Sequence, residues 1–332
     1  MRVLVTGGTG HLGRDVVSLL KDQGHQVRVL ARTPGPDPAV EWIQGDLATG
    51  RGITEAVSST EVIVHAATFS PAARRGTIRP ADLVRSPPEV DIGGTRQLLG
   101  AAGQAGVAHF LYVSIVGVRH ARVPYSRLKA AAEDLVRQSG VPHSIVPSTQ
   151  FYWLLDRMLG RMARLRVWPL PTKLPMQPAD EGDFAAYVAG CVADGPGGDR
   201  PPFGGPDIIS FGEVAGQYQA ARGLRRRILP VPLPGAAARA AGDLTCPEGR
   251  RGTTTWAEWL SRHPAPSRMR GAAAPESFRA PSADPGCPHQ DHLAAPARSH
   301  TRSPRTAKVE WCSWHHHTVS WLCSGGCGGS VQ

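Results

Sequence analysis

The chain has 332 residues, 41% of them apolar, so it can bury the core of one large domain or of a domain with a smaller lobe. No apolar run is long enough to span a membrane, and the first residues enter a strand pattern at once, which predicts a cytoplasmic protein. The net charge of +10 comes from scattered arginines, with one dense cluster at residues 225–227 and no nucleic-acid-binding motif. It therefore predicts a solvated surface, with neither nucleic acid nor membrane as partner.

Short β-branched runs alternate with helical patterns over residues 1–150, which is typical of a parallel sheet built from βαβ units. The clearest strands are residues 3–5, 27–30, 62–64, 110–113 and 144–146. The helical patterns are residues 11–23, 88–106 and 125–139. The sequence thus predicts an α/β fold with a Rossmann-type, doubly wound parallel sheet as its N-terminal domain.

Isolated elements follow in residues 151–262, which predict a small C-terminal lobe that completes the fold and binds substrate. Asp183 is the predicted N-cap of a helix through Val192, and Ser210 that of another through Ala221. Residues 228–231 predict a strand near a sheet edge, because proline removes a ladder hydrogen bond from a central strand.

Residues 263–332 are rich in Pro, Ser, Ala, Arg and His without a helical or strand period, which predicts a low-complexity, disordered tail. Cys312, Cys323, Cys327 and the histidines 315–317 suggest a zinc site as the alternative. Because no C-x-x-C pair is present, no metal site is predicted. Only two of the six cysteines precede residue 280, which argues against a disulfide framework.

A glycine-rich turn, Thr-Gly-Gly-Thr-Gly-His-Leu-Gly at residues 6–13, joins the first strand to the first helix. Gly7 allows a tight turn, Gly10 lets the backbone approach a pyrophosphate, and Gly13 lets the helix pack closely on the sheet. The helix N-terminus offers N–H groups to the anion. The alternative is a turn that needs glycine for its conformation alone. The predicted binding residues of this turn are Gly7, Thr9, Gly10, His11, Leu12 and Gly13.

The second strand ends in Arg32 and Thr33, and no carboxylate follows before Asp37. An NAD-binding domain usually has Asp or Glu here to bind the ribose 2′-hydroxyl, whereas arginine pairs with a 2′-phosphate. The sequence therefore predicts NADP(H), the alternative being an exposed arginine without a role. Four positions after the third and fourth strands are predicted to border the dinucleotide: Asp46, Leu47, Ala66 and Ala67.

Tyr125 and Lys129 lie four residues apart on one face of a predicted helix, and Ser114 ends the strand before it. This set predicts catalysis in which Ser114 hydrogen-bonds a substrate carbonyl and Tyr125 exchanges a proton with it. Lys129 is expected to lower the pKa of Tyr125 and to bind the nicotinamide ribose. In the alternative interpretation Lys129 only binds the cofactor and Tyr125 is a partly buried aromatic.

These motifs, with residues 94–99 and 112–114, resemble the short-chain dehydrogenase/reductase superfamily and, in detail, its atypical NmrA-like branch. Residues 148–151, Ser-Thr-Gln-Phe, are similar to the stretch that leads to the nicotinamide pocket in that branch. The resemblance covers residues 1–262. Pro147 departs from it, because many relatives have arginine at this position.

The resemblance implies an NADPH-dependent oxidoreductase that transfers hydride to a small carbonyl or quinone-like substrate. Because the branch also contains proteins that bind NADP without turnover, a non-enzymatic NADP(H) redox sensor is the alternative. Aromatic and aliphatic residues at 151–155 suggest an apolar or aromatic ligand, although such a run is often core. The oligomeric state stays open.

Overall fold

A parallel sheet of nine strands forms the centre of the structure, a computed structural model. The strands of the described chain are β1 (Arg2–Thr6), β2 (Gln26–Ala31), β3 (Glu41–Gln44), β4 (Val62–His65), β5 (His109–Ile115), β6 (His143–Ser148), β7 (Val167–Leu170), β8 (Pro175–Met176), β9 (Gly198–Asp199), β10 (Phe203–Gly204), β11 (Ile209–Ser210), β12 (Arg227–Pro230) and β13 (Arg250–Arg251). The helices are α1 (His11–Asp22), α2 (Ile53–Val57), a π-helix (Glu89–Gly94), α3 (Thr95–Ala105), α4 (Pro124–Gln138), α5 (Tyr152–Met162), α6 (Glu181–Asp194), α7 (Phe211–Ala221) and α8 (Trp256–Arg262).

The order of the central strands is β3-β2-β1-β4-β5-β6-β10-β13, with β9 paired to β6. Val3 of β1 pairs with Val27 of β2 on one side and with Val62 of β4 on the other. The chain therefore adds β2 and β3 on one side of β1. It then crosses back and adds β4 and β5 on the other side. In such sheets ligands bind outside the carboxyl ends of the strands at this point of reversal.

Apolar residues cover both faces of the sheet, as buried parallel strands require. Because side chains alternate along a strand, Val3 and Val5 pack with α1 and α6, whereas Leu4 packs with α2, α3 and α4. The predicted α/β fold with a doubly wound parallel sheet is confirmed.

A third apolar cluster lies within residues 152–260, around Tyr152, Trp168, Tyr218 and Trp256. Two small two-stranded sheets accompany it, β7 with β12 and β8 with β11. The same region also adds β9, β10 and β13 to the central sheet. The predicted edge strand at residues 228–231 corresponds to β12, which pairs with β7 rather than with the central sheet.

Two helix starts test the capping predictions. Ser210 caps α7 as predicted, because its side chain accepts a hydrogen bond from the Glu213 amide in a complete capping box. The predicted cap at Asp183 is wrong: Asp180 caps α6 and accepts from the Asp183 amide at 3.0 Å. The Asp183 carboxylate instead accepts from the amide of Thr253 at 2.6 Å, which ties α6 to the segment before α8.

The structure describes residues 1–68, 89–120, 124–233, 235 and 244–264. All of them belong to one compact unit, Met1–Ala274. The second unit, Pro275–Gln332, lies outside the described residues, as do Cys312, Cys323, Cys327 and the histidines 315–317. The disordered tail therefore stays a prediction.

Candidate cofactor and active site

The turn between β1 and α1 is shaped by close backbone approaches at its glycines. Gly7 has a φ of +80°, and a Cβ placed there would lie 2.8 Å from the amide nitrogen of Ala67, just after β4. A Cβ on Gly13 would lie 2.1 Å from the carbonyl oxygen of Gly7. The turn thus lies against the end of β4 where the strand order reverses, and α1 can approach it only because residue 13 lacks a side chain.

The first turn of α1 is open to an anion. Its N-cap residue, Gly10, provides no side-chain hydrogen bond, and no acidic residue lies in the first turn. The amide of Gly10 donates to the carbonyl of Gly7 at 2.9 Å, whereas the first amides of a helix have no acceptor within the helix itself. Thr9, Gly10 and His11 are exposed, whereas the Leu12 side chain is buried, which leaves Leu12 only its backbone for a ligand.

Arg32 and Thr33 follow directly after β2, and both are exposed. The Arg32 carbonyl accepts a hydrogen bond from Gln44 Nε2 at 3.4 Å, and its guanidinium faces solvent. The next carboxylate along the chain, Asp37, accepts hydrogen bonds from the Lys21 ammonium and the Ala39 amide, and these bonds lower its pKa. Asp37 is therefore engaged elsewhere, and Arg32 is the charged group at the end of β2.

The four positions predicted to border the dinucleotide differ in their exposure. Ala66 and Ala67 are half-buried beside the glycine turn, with which they share the close approach at Gly7. The Asp46 carboxylate accepts from the Ala48 amide at 3.0 Å, and Leu47 is buried. Asp46 thus also closes its own loop, and Leu47 is in large part a core residue.

Tyr125 and Lys129 are joined through two residues that the sequence did not single out, Thr68 and Asp91. The Thr68 hydroxyl donates to Asp91 Oδ1 at 2.7 Å and lies 3.2 Å from the Tyr125 hydroxyl. Asp91 Oδ1 lies 3.6 Å from the Lys129 ammonium, and both charged residues are almost fully buried. The lysine also donates to the hydroxyl of Tyr112 at 3.3 Å. The result is a continuous polar chain at the carboxyl ends of β4 and β5.

Comparison with known proteins then assigns the N-terminal part of the chain. Residues 7–164 match the family model described as NAD(P)H-binding. The match spans 158 of the 332 residues, just under half of the chain. Its matched region contains the glycine turn, Arg32 and the polar chain around Lys129.

Two curated relatives illustrate the sequence similarity. The chain is 30% identical over 158 residues to the photosystem II assembly factor Ycf39 of Cyanophora paradoxa, which is 46% of each protein. It is 31% identical over 229 residues to the divinyl chlorophyllide a 8-vinyl-reductase of Oryza sativa subsp. indica, covering 61% of this chain and 54% of the relative. The chain therefore spans about half the length of these curated relatives.

The fold of the chain is also similar to that of solved structures. A short-chain dehydrogenase/reductase superfamily protein of Agrobacterium tumefaciens with bound NAD superimposes with a TM-score of 0.62 at 21% identity. The match covers 81% of this chain and 97% of that one. At this identity the likeness shows a shared fold. Among the described residues, no helix is long and apolar enough to cross a bilayer, and the cytoplasmic location stays a prediction.

The space around the glycine turn fits a dinucleotide cofactor. A Cβ on Gly10 would meet only the Gly7 carbonyl, 3.2 Å away, so this exposed side of the turn is free for a pyrophosphate. The backbone of residues 10–13 would hold the pyrophosphate, and Arg32 and Thr33, just after β2, would lie beside the adenosine ribose of such a cofactor.

Burial dominates the electrostatics around Lys129. It raises the pKa of Tyr125, and the charge of Lys129 offsets only part of that rise, so the expected net lowering by Lys129 is not found. Burial and the same ammonium lower the pKa of His65 to about 3, which keeps that imidazole neutral. His65 bridges the hydroxyls of Thr6, at the end of β1, and Thr95, at 2.6 and 2.9 Å.

Ser114 has a hydrogen-bond partner other than Tyr125 and Lys129. Its hydroxyl donates to Glu133 Oε1 at 2.6 Å, and no described hydrogen bond joins it to either partner. Glu133 lies two helical turns beyond Tyr125 on α4, about 12 Å along the axis. It is itself held by ion pairs with Arg119 and Arg137. Ser114 therefore anchors β5 to α4 in this structure.

The N-terminus of α5 lies over the glycine turn. Trp153 stacks on His11 with ring centroids 4.4 Å apart and an angle of 8° between the planes. The Trp153 amide donates to Glu181 Oε1 at 3.2 Å, and burial, with Asp180 and Asp15 nearby, raises the pKa of Glu181 to about 8. Residues 151–155 divide accordingly: Tyr152 and Leu155 are core residues, and the other three are half-buried.

Sequence reasoning missed Thr68, Asp91, Glu133 and Glu181. None belongs to a short motif, and Asp91 and Lys129 are 38 positions apart in the chain. The one available signal was Glu133, which helical spacing puts on the same face as Lys129 and Val136. A charge at a core position needs a partner, but the sequence does not say which.

Proposed function

We propose that this chain is an NADPH-dependent oxidoreductase that transfers hydride to a small carbonyl or quinone-like substrate. The observation that carries the proposal is the polar chain from Tyr125 through Thr68 to the buried pair of Asp91 and Lys129, adjacent to the glycine turn. Burying a lysine and a carboxylate costs desolvation free energy, which a purely structural role does not require. The position of this pair near the glycine turn therefore supports a function.

Tyr125 is the proposed proton donor. The single Thr68 proton is donated to Asp91, so in the contact between the two hydroxyls Tyr125 is the donor and Thr68 the acceptor. Because its pKa is raised, Tyr125 keeps its proton at neutral pH. That state suits reduction, in which the substrate oxygen must gain a proton. A dehydrogenase working in the opposite direction would need the phenolate instead.

When bound, NADPH would supply the hydride for the substrate carbon. The Tyr125 proton moves to the substrate oxygen at the same stage, and the phenolate left behind is stabilised by the Lys129 ammonium. The phenolate then regains a proton from solvent. Asp91 holds the Lys129 side chain in place, and Lys129 is also the proposed contact of the nicotinamide ribose.

A preference for NADPH over NADH belongs to the proposal. It is supported by the exposed Arg32 at the end of β2 and by the engagement of Asp37 with Lys21. Residues 151–262 are the proposed substrate-binding part, with Trp153 near the glycine turn. The NmrA-like branch is the proposed place of the chain within its superfamily.

The test is NADPH oxidation by the full chain with a panel of quinones and aldehydes. Turnover of one of them is expected, and Tyr125→Phe should lower it by about 10²- to 10⁴-fold, the usual contribution of a positioned general acid. Tyr187→Phe is the matched control, because the Tyr187 hydroxyl donates to the carbonyl of Pro201, away from the turn. Equal turnover in both variants would exclude Tyr125 as the donor.

A second candidate is a non-enzymatic NADP(H) redox sensor. One observation favours it: Ser114, the expected substrate contact, is bonded to Glu133 instead. A sensor would bind NADPH but oxidise none of the panel. Tight binding without turnover would therefore select this candidate over the enzyme.

A further inference from the structure

Exposed apolar side chains collect on the small sheet of β7 and β12. Six large apolar residues of the described chain are 41–50% exposed. Four of them flank or belong to these two strands: Leu165, Val167, Leu229 and Val231. Single exposed apolar residues are common on protein surfaces, whereas a contiguous group marks a contact surface.

The strand register fixes these side chains on the outer face. In this parallel pair, Val167 pairs with Arg227 and Pro169 with Leu229. The alternate residue Trp168 is fully buried against the third apolar cluster. Because neighbouring side chains of a strand point to opposite faces, Val167, Arg227 and Leu229 point outward together.

The same face is strongly basic. Residues 157–178 and 222–233 contain nine Lys and Arg residues and no Asp or Glu. The exposed cations that surround the apolar side chains are Arg161, Arg164, Arg166, Arg225 and Arg227. Within the described part of the chain none of these five forms an ion pair. Arg222, by contrast, is paired with Asp156 at 2.6 Å, and its side chain is only 4% exposed.

We propose that this basic apolar face (residues 161–169 and 225–231) docks on the surface of an anionic lipid bilayer. Protruding aliphatic side chains such as Leu229 can enter the boundary between headgroups and acyl chains. The surrounding arginines then lie at the level of the lipid phosphates, which attract them. A second copy of the chain is a poor occupant, because it would bring the same positive charge against this face.

This proposal revises the expectation, drawn from the sequence, that a membrane is not a partner. Docking of this kind needs no membrane-spanning helix and does not depend on the proposed redox activity. It places the membrane at the end of α5 that lies away from the glycine turn. Trp153 near one end of α5 contacts the turn, and Arg161 near the other belongs to the face, about 12 Å farther along the helix. The cofactor site would thus lie one helix length above the lipid surface.

The experiment is flotation of the full chain with phosphatidylcholine vesicles, with and without phosphatidylglycerol. Binding is expected only to the anionic vesicles. Arg164→Glu combined with Arg225→Glu should lower the partition coefficient by about 25-fold or more, since each arginine near such a surface contributes about five-fold. The matched control, Arg96→Glu with Arg127→Glu, makes the same charge change at exposed positions of α3 and α4 and should stay within about two-fold.

A second pair, Leu229→Gln with Val231→Gln, tests the apolar contribution at constant charge and should lower the partition coefficient by at least about ten-fold. Only variants that keep the melting temperature of the unsubstituted chain are compared. Absence of binding to anionic vesicles, or equal losses in the face and control reversals, would overturn the proposal. Loss on charge reversal with no loss in the Leu229 and Val231 pair would also overturn it, and would point to an acidic protein surface as the partner.

Discussion

Replacing Asp91 by asparagine removes one charge from the buried pair with Lys129. The two side chains are 1% and 4% exposed and lie 3.6 Å apart, so the remaining ammonium would have little water and no charged partner among the described residues. Breaking a buried pair in this way costs about 3–5 kcal/mol. The amide oxygen still accepts from Thr68 and Lys129 still donates to Tyr112, so we expect a loss near the lower limit, about 3 kcal/mol.

Urea unfolding followed by tryptophan fluorescence measures this loss in the free energy of unfolding. Asp134→Asn is the matched control, because Asp134 pairs with Arg119 at the surface, where each side chain is 47% exposed. An exposed pair contributes less than about 1 kcal/mol. Lys129→Met made together with Asp91→Asn should cost less than the two single changes added, because no lone charge is then buried. A loss in Asp91→Asn no larger than in Asp134→Asn would refute the reasoning.

Three further predictions concern Arg32 after β2, Gly13 in the glycine turn and Glu181 beside Trp153. NADPH should bind at least about ten-fold more tightly than NADH in fluorescence titrations, and Arg32→Asp should abolish the difference; equal dissociation constants in the unsubstituted chain would contradict it. Gly13→Ala should abolish cofactor binding in the same titration, because its Cβ would meet the Gly7 carbonyl, whereas Gly100→Ala in α3, with open space around its Cβ, should bind normally and melt at a higher temperature. Glu181, whose pKa is raised to about 8, stays protonated in the folded chain while the unfolded chain ionises, so stability should fall as the pH rises from about 4.5 to 8. Glu181→Gln should flatten that dependence of the melting temperature, and an unchanged slope would exclude Glu181 as its source.

Local sequence was sufficient to predict the central sheet and the glycine turn. The β-branched runs and the glycines of residues 6–13 act through backbone conformation and short-range packing, which adjacent residues decide. Helix starts were less secure, because Asp180 and Asp183 are both good caps. Only the tertiary contact of Asp183 with Thr253 distinguishes them in the structure.

The candidate active site was predictable only in part. The spacing of Tyr125 and Lys129 puts them on one helix face, which is a local property. The partners of that face come from elsewhere, Asp91 from the π-helix before α3 and Thr68 from the segment after β4. Ser114 looked catalytic by its place at the end of β5, but its long-range contact with Glu133 gives it another partner.

The sequence by itself determined the fold class, the glycine turn after β1 and the basic character of the chain. It left the arginines scattered, because Arg164 and Arg225 are 61 positions apart. Only the tertiary structure brought them together: the parallel pairing of β7 with β12 sets both segments side by side and turns Val167 and Leu229 outward with them. Residue type fixes how much charge a chain carries, and strand pairing decides where on the surface that charge is concentrated.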